Sequence, residues 1–239
     1  MMFSDARSRI SATDVAEHVG VSRSTAYRYA QTLSSSGFLV EESGNGFRLG
    51  PKVMELARIA RRSHGISDMA VPVMRQLASE LHETVLLTKR IGPTIVCLER
   101  EEWPGQYIRL SYERGSRLSL NAGASALVLL AWMPDDEARG LLDSQTLQSY
   151  SANTLTSTGA ILERLHEIRE LGYSVARGEV DAEAMGIAAP IFDADGQVTA
   201  ALSIAMLQSR LPKGRQSSVV GQVRAAAARL TEEVRSYTE

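Results

Sequence analysis

Apolar residues recur along this chain at two spacings, one helical and one alternating, and the changes from one to the other divide it into helices and strands. Val15, Ala16 and Val19 share one side of a short helix opening at Ala12 or Thr13. Ala26, Tyr29, Ala30 and Leu33 give a second helix its core-facing side. Gly20 supplies the backbone freedom for a sharp turn between them, and Ser22 can accept from the free amides that open the second helix. The pair reads as a helix-turn-helix. Ahead of it, Met1, Met2 and Phe3 are too few to build a full supporting helix. The first helix is therefore expected to be short or frayed, or the natural start to lie upstream. Val40 to Glu42 and Phe47 to Leu49, around Ser43-Gly44-Asn45-Gly46, predict a β-hairpin wing. Gly50-Pro51 then ends the wing and opens a helix to about Ser63, with proline in its tolerated first turn. Its stripe of Val53, Met54, Leu56, Ala57, Ile59 and Ala60 is too wide for a small domain alone and predicts contact with a second subunit.

Beyond His64-Gly65 the pattern changes scale. Ile66, Met69, Ala70, Val73, Met74, Leu77, Ala78 and Leu81 hold helical spacing over four turns. Pro72 predicts either a kink or a regular helix that starts only at Val71. Strands follow at Val85 to Arg90 and Thr94 to Arg100, with a third candidate at Tyr107 to Ser111. An apolar helix, Ala126 to Trp132, is preceded by the small residues Asn121 to Ser125. A helix led by acids begins at Pro134, and another runs from Thr158 to Leu171 and closes on Gly172. Tyr173 to Arg177, Ile187 to Phe192 and Val198 to Met206 read as strands, the last two joined by the hairpin signal Asp193 to Gly196. A final helix carries Val219, Val220, Val223, Ala226, Ala227, Leu230 and Val234 on one face. This order predicts an α+β chain: a winged helix-turn-helix, a linker helix, and a mixed α/β domain with a largely antiparallel sheet flanked by helices.

Length and charge refine that picture. At 239 residues the chain exceeds the roughly 100–150 of a typical single domain, so residues 1–50, 51–65 and 66–239 are read as DNA-binding domain, linker helix and sensor domain. Residues 1–65 hold nine Lys/Arg against six Asp/Glu, a net +3, and residues 66–239 hold 17 against 22, a net −5. The basic end is the helix-turn-helix end, the sign that phosphate binding requires. No apolar run approaches a membrane span and the start lacks the apolar core of a secretory signal, so the reading is cytoplasmic with no membrane partner. A single cysteine, Cys97, excludes an internal disulfide and a Cys-pair metal site.

The candidate chemistry is recognition rather than catalysis. Ser22, Arg23, Ser24, Thr25, Tyr27 and Arg28 lie on the outward face of the second helix, and Arg48 lies at the wing's edge. Hydroxyls and guanidinium groups of this kind meet the phosphates and base edges of double-stranded DNA. The free amides at Gly123 to Ala126 can hold an anion; the plainer alternative, that Asn121 or Ser125 merely caps the helix, stays open. Glu179, Asp181 and Glu183 fall within five residues, but none of the four His is spaced with them as a ligand set, so they read as a solvated loop. Cys97 reads as a small buried residue. No nucleophile with its base, phosphate loop or dinucleotide fingerprint appears, which argues for no catalytic residues, no metal and no cofactor. An enzyme or small-molecule-binding protein with a vestigial DNA-binding domain is the alternative.

Four segments, GFRLG, AGASALVLLA, RGEVDAEAMGIAAPIFDADGQVTAALSIA and SRLP, in this order and spacing, resemble the isocitrate lyase regulator (IclR) family of bacterial transcription factors. The resemblance spans nearly the whole chain. It implies a homodimer or pair of dimers that reads a partly palindromic operator and is switched by a small-molecule effector, here expected to be a carboxylic acid. By position it implies an effector cleft formed by Ala122, Gly123, Ala124, Ser125, the segment Glu179 to Asp181, and Ser203, with Leu202 or Met206 against the ligand's body. Asn121, Ala126-Leu127 and Ala205 stand where many relatives carry His, Gly-Lys and Ser, which implies an effector unlike that of the better-known members.

Overall fold

The computed structural model describes residues 2–4, 7–43, 46–63, 65–104, 112–212 and 214–238. The chain divides into two compact units, Met1–His64 and Gly65–Glu239.

In the first unit, strand β1 (Arg9–Ser11) leads into helix α1 (Ala12–Val19), helix α2 (Arg23–Ser35), strands β2 (Leu39–Glu42) and β3 (Gly46–Leu49), and helix α3 (Pro51–Ser63). No helix precedes α1 among the described residues. In place of the expected short helix, β1 pairs antiparallel with β3, which puts Ile10 opposite Phe47 and Arg9 opposite Arg48. Ile10 then joins Phe47, Ala12, Ala30 and Leu39 in a small core, with Met2 and Phe3 packed against it. Ser11 starts α1 with a reciprocal cap: the Asp14 amide donates to Ser11 Oγ at 3.2 Å and the Ser11 amide donates to Asp14 Oδ2 at 2.7 Å. The Ser11 amide bond, with Arg7 at 2.6 Å, holds the Asp14 carboxyl down at about 2. This contribution is present above the ordinary carboxylate range and is lost as pH falls through about 2. Replacing Ser11 with Ala is expected to cost about 1 kcal/mol at neutral pH, read as a lower urea midpoint with an unchanged slope.

Gly20 takes the left-handed conformation (φ 75°) that ends α1, and Ser22 Oγ accepts from the Thr25 amide at 3.2 Å to begin α2. Ala26 and Ala30 are buried as the pattern requires, but Tyr29 is 51% and Leu33 45% exposed, and Val19 on α1 is 52% exposed. The inward side of α2 is centred on Ala26, Ala30 and the half-buried Tyr27, and this leaves Tyr29 and Leu33 on an outer shoulder. On α3, Met54, Leu56 and Ile59 are exposed.

The second unit is built on a six-stranded, wholly antiparallel sheet in the order β6-β5-β4-β9-β8-β7. Its strands are β4 (Thr84–Ile91), β5 (Thr94–Glu101), β6 (Arg117–Leu118), β7 (Ser174–Arg177), β8 (Ala184–Phe192) and β9 (Val198–Leu207). The strand candidate at Tyr107 to Ser111 lies outside the described residues. One face is covered by α4 (Ile66–Leu81) and α8 (Gln216–Thr238), whose Met74, Leu77, Val223 and Leu230 meet Leu87, Ile187 and Leu202 of the sheet. Helix α4 begins at Ile66 and runs unbroken past Pro72, so its regular part is not delayed to Val71. Pro72 is exposed, and the carbonyl that it leaves without a donor can turn to solvent. The other face is covered by α5 (Ala124–Ala131), α6 (Asp135–Asp143) and α7 (Thr158–Leu171). All eight residues of α5 are buried, lying between Leu86, Ala188 and Ala201 of the sheet and Ile161, Leu165 and Ile168 of α7. Small residues on the strands make room for it: a side-chain carbon at Gly186 would stand 3.3 Å from Ala124 Cβ.

Candidate functional site

Among the described residues, two places combine exposed or cavity-facing polar groups with a rigid support. The first is the outer face of α2. Arg23, Ser24 and Arg28 are exposed. Neither arginine makes an ion pair among the described residues, so both charges are available to an incoming phosphate or base edge. The hydroxyls near the start of α2 are already engaged, since Ser22 Oγ lies 3.0 Å from Ser24 Oγ and 2.9 Å from Thr25 Oγ1. Tyr27 turns away from the outer face. Its ring packs 5.9 Å from Phe47, its hydroxyl donates to Glu41 Oε1 at 2.8 Å, and that bond holds the hydroxyl above the usual phenol range. It therefore ties α2 to the wing. Arg48 is exposed but paired with Glu42 at 2.9 Å, and Arg9 from β1 approaches the same carboxylate at 3.8 Å. Sequence reasoning missed Arg9 because its neighbour Arg48 is 39 positions away; the contact exists only once β1 pairs with β3.

The second place is a partly open cavity on the α5 side of the sheet, with about 830 Å³ of empty space when its open mouth is included. It is lined by Ala122, Gly123, Ala124, Ser125, Glu179, Asp181 and Ser203, so all seven residues singled out from the sequence for this region meet in one hollow. Leu86, Tyr112 and Gly186 also line it and were missed. Gly186 had a signal, as a lone glycine in a strand pattern; Tyr112 had none.

Within the cavity Ser125 Oγ donates to Ser203 Oγ at 2.7 Å, and both residues are buried. Gly123 N–H donates to Glu179 Oε2 at 2.8 Å across 56 residues of chain. Neither of the expected caps is used: Gly123 (φ 89°) begins α5 without a side-chain cap. Asn121 instead lies buried and donates to Gln148 O at 2.9 Å and Leu155 O at 2.6 Å, which fastens the loop before α7. Asp181 and Glu183 are exposed, as a solvated loop requires, but Glu179 departs from that reading and turns inward. Burial raises the Glu179 carboxyl above its ordinary range, against the Gly123 amide and the Arg164 charge, which lower it.

The direction of Glu179 follows from its loop. Gly178 (φ 63°) turns so tightly that a side-chain carbon there would meet Asn153 Nδ2 at 2.9 Å. Thr154 Oγ1 donates to Glu179 O at 2.6 Å, and Gly178 N–H donates to Ala184 O at 2.8 Å. Leu202 and Met206 do not line the cavity; both sit in the core against α4 and α8. Strand alternation carries Ser203 to the cavity face and its neighbour Leu202 away from it. Burial pushes the Tyr112 hydroxyl up to about 12, so it stays a neutral donor at the wall. Cys97 is fully buried and its thiol is likewise pushed up to about 12, which removes it as a nucleophile. Among the described residues no histidine lines the cavity and no three His, Cys, Asp or Glu are grouped to hold a metal. No described helix is long and apolar enough to cross a membrane.

Comparison with known proteins covers both places. Residues 2–43 match the family model described as the IclR helix-turn-helix domain, and residues 59–232 match that of the bacterial transcriptional regulator IclR C-terminal domain. The HTH-type transcriptional regulator KdgR of Escherichia coli is 31% identical over 224 residues, which is 93% of this chain and 84% of that protein. A crystal structure of a putative IclR transcriptional regulator from a Silicibacter species superposes with a TM-score of 0.85 at 28% identity, covering 97% of this chain and 91% of that one. An IclR homolog from Microbacterium hydrocarbonoxydans, crystallised in complex with 4-hydroxybenzoate, superposes with a TM-score of 0.84 at 26% identity, covering 98% and 95%. With a winged helix-turn-helix in one unit, a lined cavity in the other and a family match over each, the chain belongs to the IclR family of bacterial transcriptional regulators.

Proposed function

We propose that residues 1–50 read DNA, that residues 51–65 link, and that residues 66–239 sense a small carboxylic acid and control the reader. Arg23 and Arg28 make the principal DNA contacts. Ser22, Ser24 and Thr25 present the helix start to a phosphate, Tyr27 holds the helix to the wing, and Arg48 follows the backbone at the wing's edge. The effector lies among Ala122, Gly123, Ala124, Ser125, Glu179, Asp181 and Ser203, and the chain acts in the cytoplasm without catalysis. The observation that carries this reading is the pairing of two arginines on the α2 face that make no ion pair among the described residues with a largely apolar hollow that holds a few convergent polar groups. The complex of the Microbacterium relative with 4-hydroxybenzoate supports a small acid as the ligand class. The first-turn amides of α5 support it too, since they have no acceptor within the helix. The exposed Met54, Leu56 and Ile59 on α3 support self-association, which sets two recognition helices on a partly palindromic operator.

A mobility-shift assay on the intergenic DNA beside the chain's own gene, run with a thermal-shift screen of small carboxylic acids, tests the reading. A retarded complex and a stabilising acid are expected. Stabilisation without DNA binding would mark a binding protein, and turnover of the acid an enzyme; either result overturns the proposal.

A further inference from the structure

The polar wall of the cavity carries acid and no base. Glu179 and Asp181 line it beside the hydroxyl residues Tyr112, Ser125 and Ser203, and no Lys, Arg or His does so among the described residues. An effector carboxylate seeking the start of α5 finds the Gly123 amide already bonded to a carboxylate of the chain itself, at 2.8 Å. Two like charges cannot share that place without one leaving or taking a proton.

We propose that Glu179 is the resident anion of this cavity and its specificity-determining residue: an acid binds by displacing the Glu179 carboxylate from the Gly123 amide, and Glu179 takes up one proton from solvent as it does so. This rests on the reading that the cavity is the effector site. Exchange asks only for a side-chain rotation. The backbone around Glu179 is fixed by Thr154 Oγ1 on Glu179 O, by Asn153 Nδ2 on Arg177 O at 3.2 Å and by Ser151 Oγ on Gly178 O, so the carboxylate can leave without its loop.

Among the described residues, the charged and titratable groups around Glu179 are few. Asp181 stands on its own loop and Tyr112 also lines the cavity. Arg164 approaches from α7 and acts on Glu179 through its charge, but its own guanidinium is committed to Glu167 at 2.6 Å and to Val175 O at 2.9 Å. Burial dominates, and it raises the carboxyl. Glu179 therefore takes up a proton more readily than an ordinary carboxylic acid does. Protonated Glu179 no longer repels an anion. Because binding takes up one proton, affinity for an acid should increase as pH falls from 8 to 6, a range in which the acid itself stays ionised.

The test uses the full chain, with benzoate as probe and benzamide as its uncharged counterpart, titrated calorimetrically at pH 6 and pH 8. Glu179→Gln keeps the shape and an acceptor for the Gly123 amide but removes the charge; Glu179→Ala also vacates the amide. Native protein should bind benzoate more weakly at pH 8 than at pH 6. Both variants should bind it about tenfold or more tightly than native protein at pH 8, with no dependence on pH, and the gain should be larger for benzoate than for benzamide. Equal benzoate affinity in native protein and both variants, or no benzoate binding by either variant, overturns the proposal. Amide chemical-shift changes locate the probe. Changes centred on Gly123 and Ser203 keep the cavity reading even if the exchange fails, whereas tighter binding with changes elsewhere overturns the cavity reading and the proposal with it.

Discussion

Arg28→Ala is expected to weaken operator binding by roughly 10- to 100-fold at fixed salt, the loss of one arginine contact to a base edge or phosphate. Arg28 lies on the outer face of α2, and its guanidinium makes no ion pair among the described residues, so nothing in the free protein offsets its loss on the DNA. Arg48 provides the internal comparison. It already shares Glu42 at 2.9 Å, part of its charge is neutralised before DNA arrives, and Arg48→Ala should cost less. A titration across salt concentrations separates the two roles open to Arg28. A phosphate contact loses affinity equally on all sequences and makes the salt slope shallower by about one, whereas a base contact loses discrimination at one position. Unchanged affinity in Arg28→Ala would remove α2 as the reading helix.

The second large effect is expected from a residue that touches no DNA. Gly50 follows β3 and sits against the turn after α2, where a side-chain carbon would lie 2.2 Å from Gly37 O and 3.0 Å from Phe38 C. Both are backbone atoms and cannot rotate away. The close approach serves two hydrogen bonds, from the Gly50 amide to Phe38 O at 2.7 Å and from the Lys52 amide to Gly37 O at 3.1 Å, which join the end of the wing and the start of α3 to the turn after α2. Gly50→Ala must break this junction, at a cost of about 3 kcal/mol or more in so small a unit. Hydrogen exchange read by mass spectrometry should show lost protection over residues 26–49, with protection over residues 184–207 retained, and operator binding should fall with it. Unchanged protection in both segments would show that the backbone absorbs the extra carbon.

What the sequence made legible follows the strength of its periodicity. Helix α7 was readable to the residue because its apolar spacing is bounded by Thr158 and by Gly172, which takes φ 76° to close it. The antiparallel sheet was readable from short alternating runs and from the turn at Asp193 to Gly196. Three features were hidden for physical reasons. Tyr27 and Tyr29 lie two positions apart on one helix, and only the presence of Phe47 and Glu41 decides that Tyr27 packs inward. Strand β9 is covered on both faces, so its run from Ala200 to Met206 is apolar except for Ser203, and no alternation of polar and apolar positions marks which of its faces meets the cavity. The inward turn of Glu179 depends on Gly123, 56 residues earlier, and on a loop pinned by Thr154. In each case the deciding partner is distant in the chain.

A switch requires that the two units be coupled, and operator affinity measured with and without a saturating acid tests this most directly. Fluorescence anisotropy on labelled operator at one fixed salt should give dissociation constants that differ by about fivefold or more, in either direction. The acid's affinity should change by the same factor when operator is bound, because coupling between two sites is reciprocal. Identical operator affinity at saturation, with the acid demonstrably in the cavity, would contradict a ligand-operated regulator.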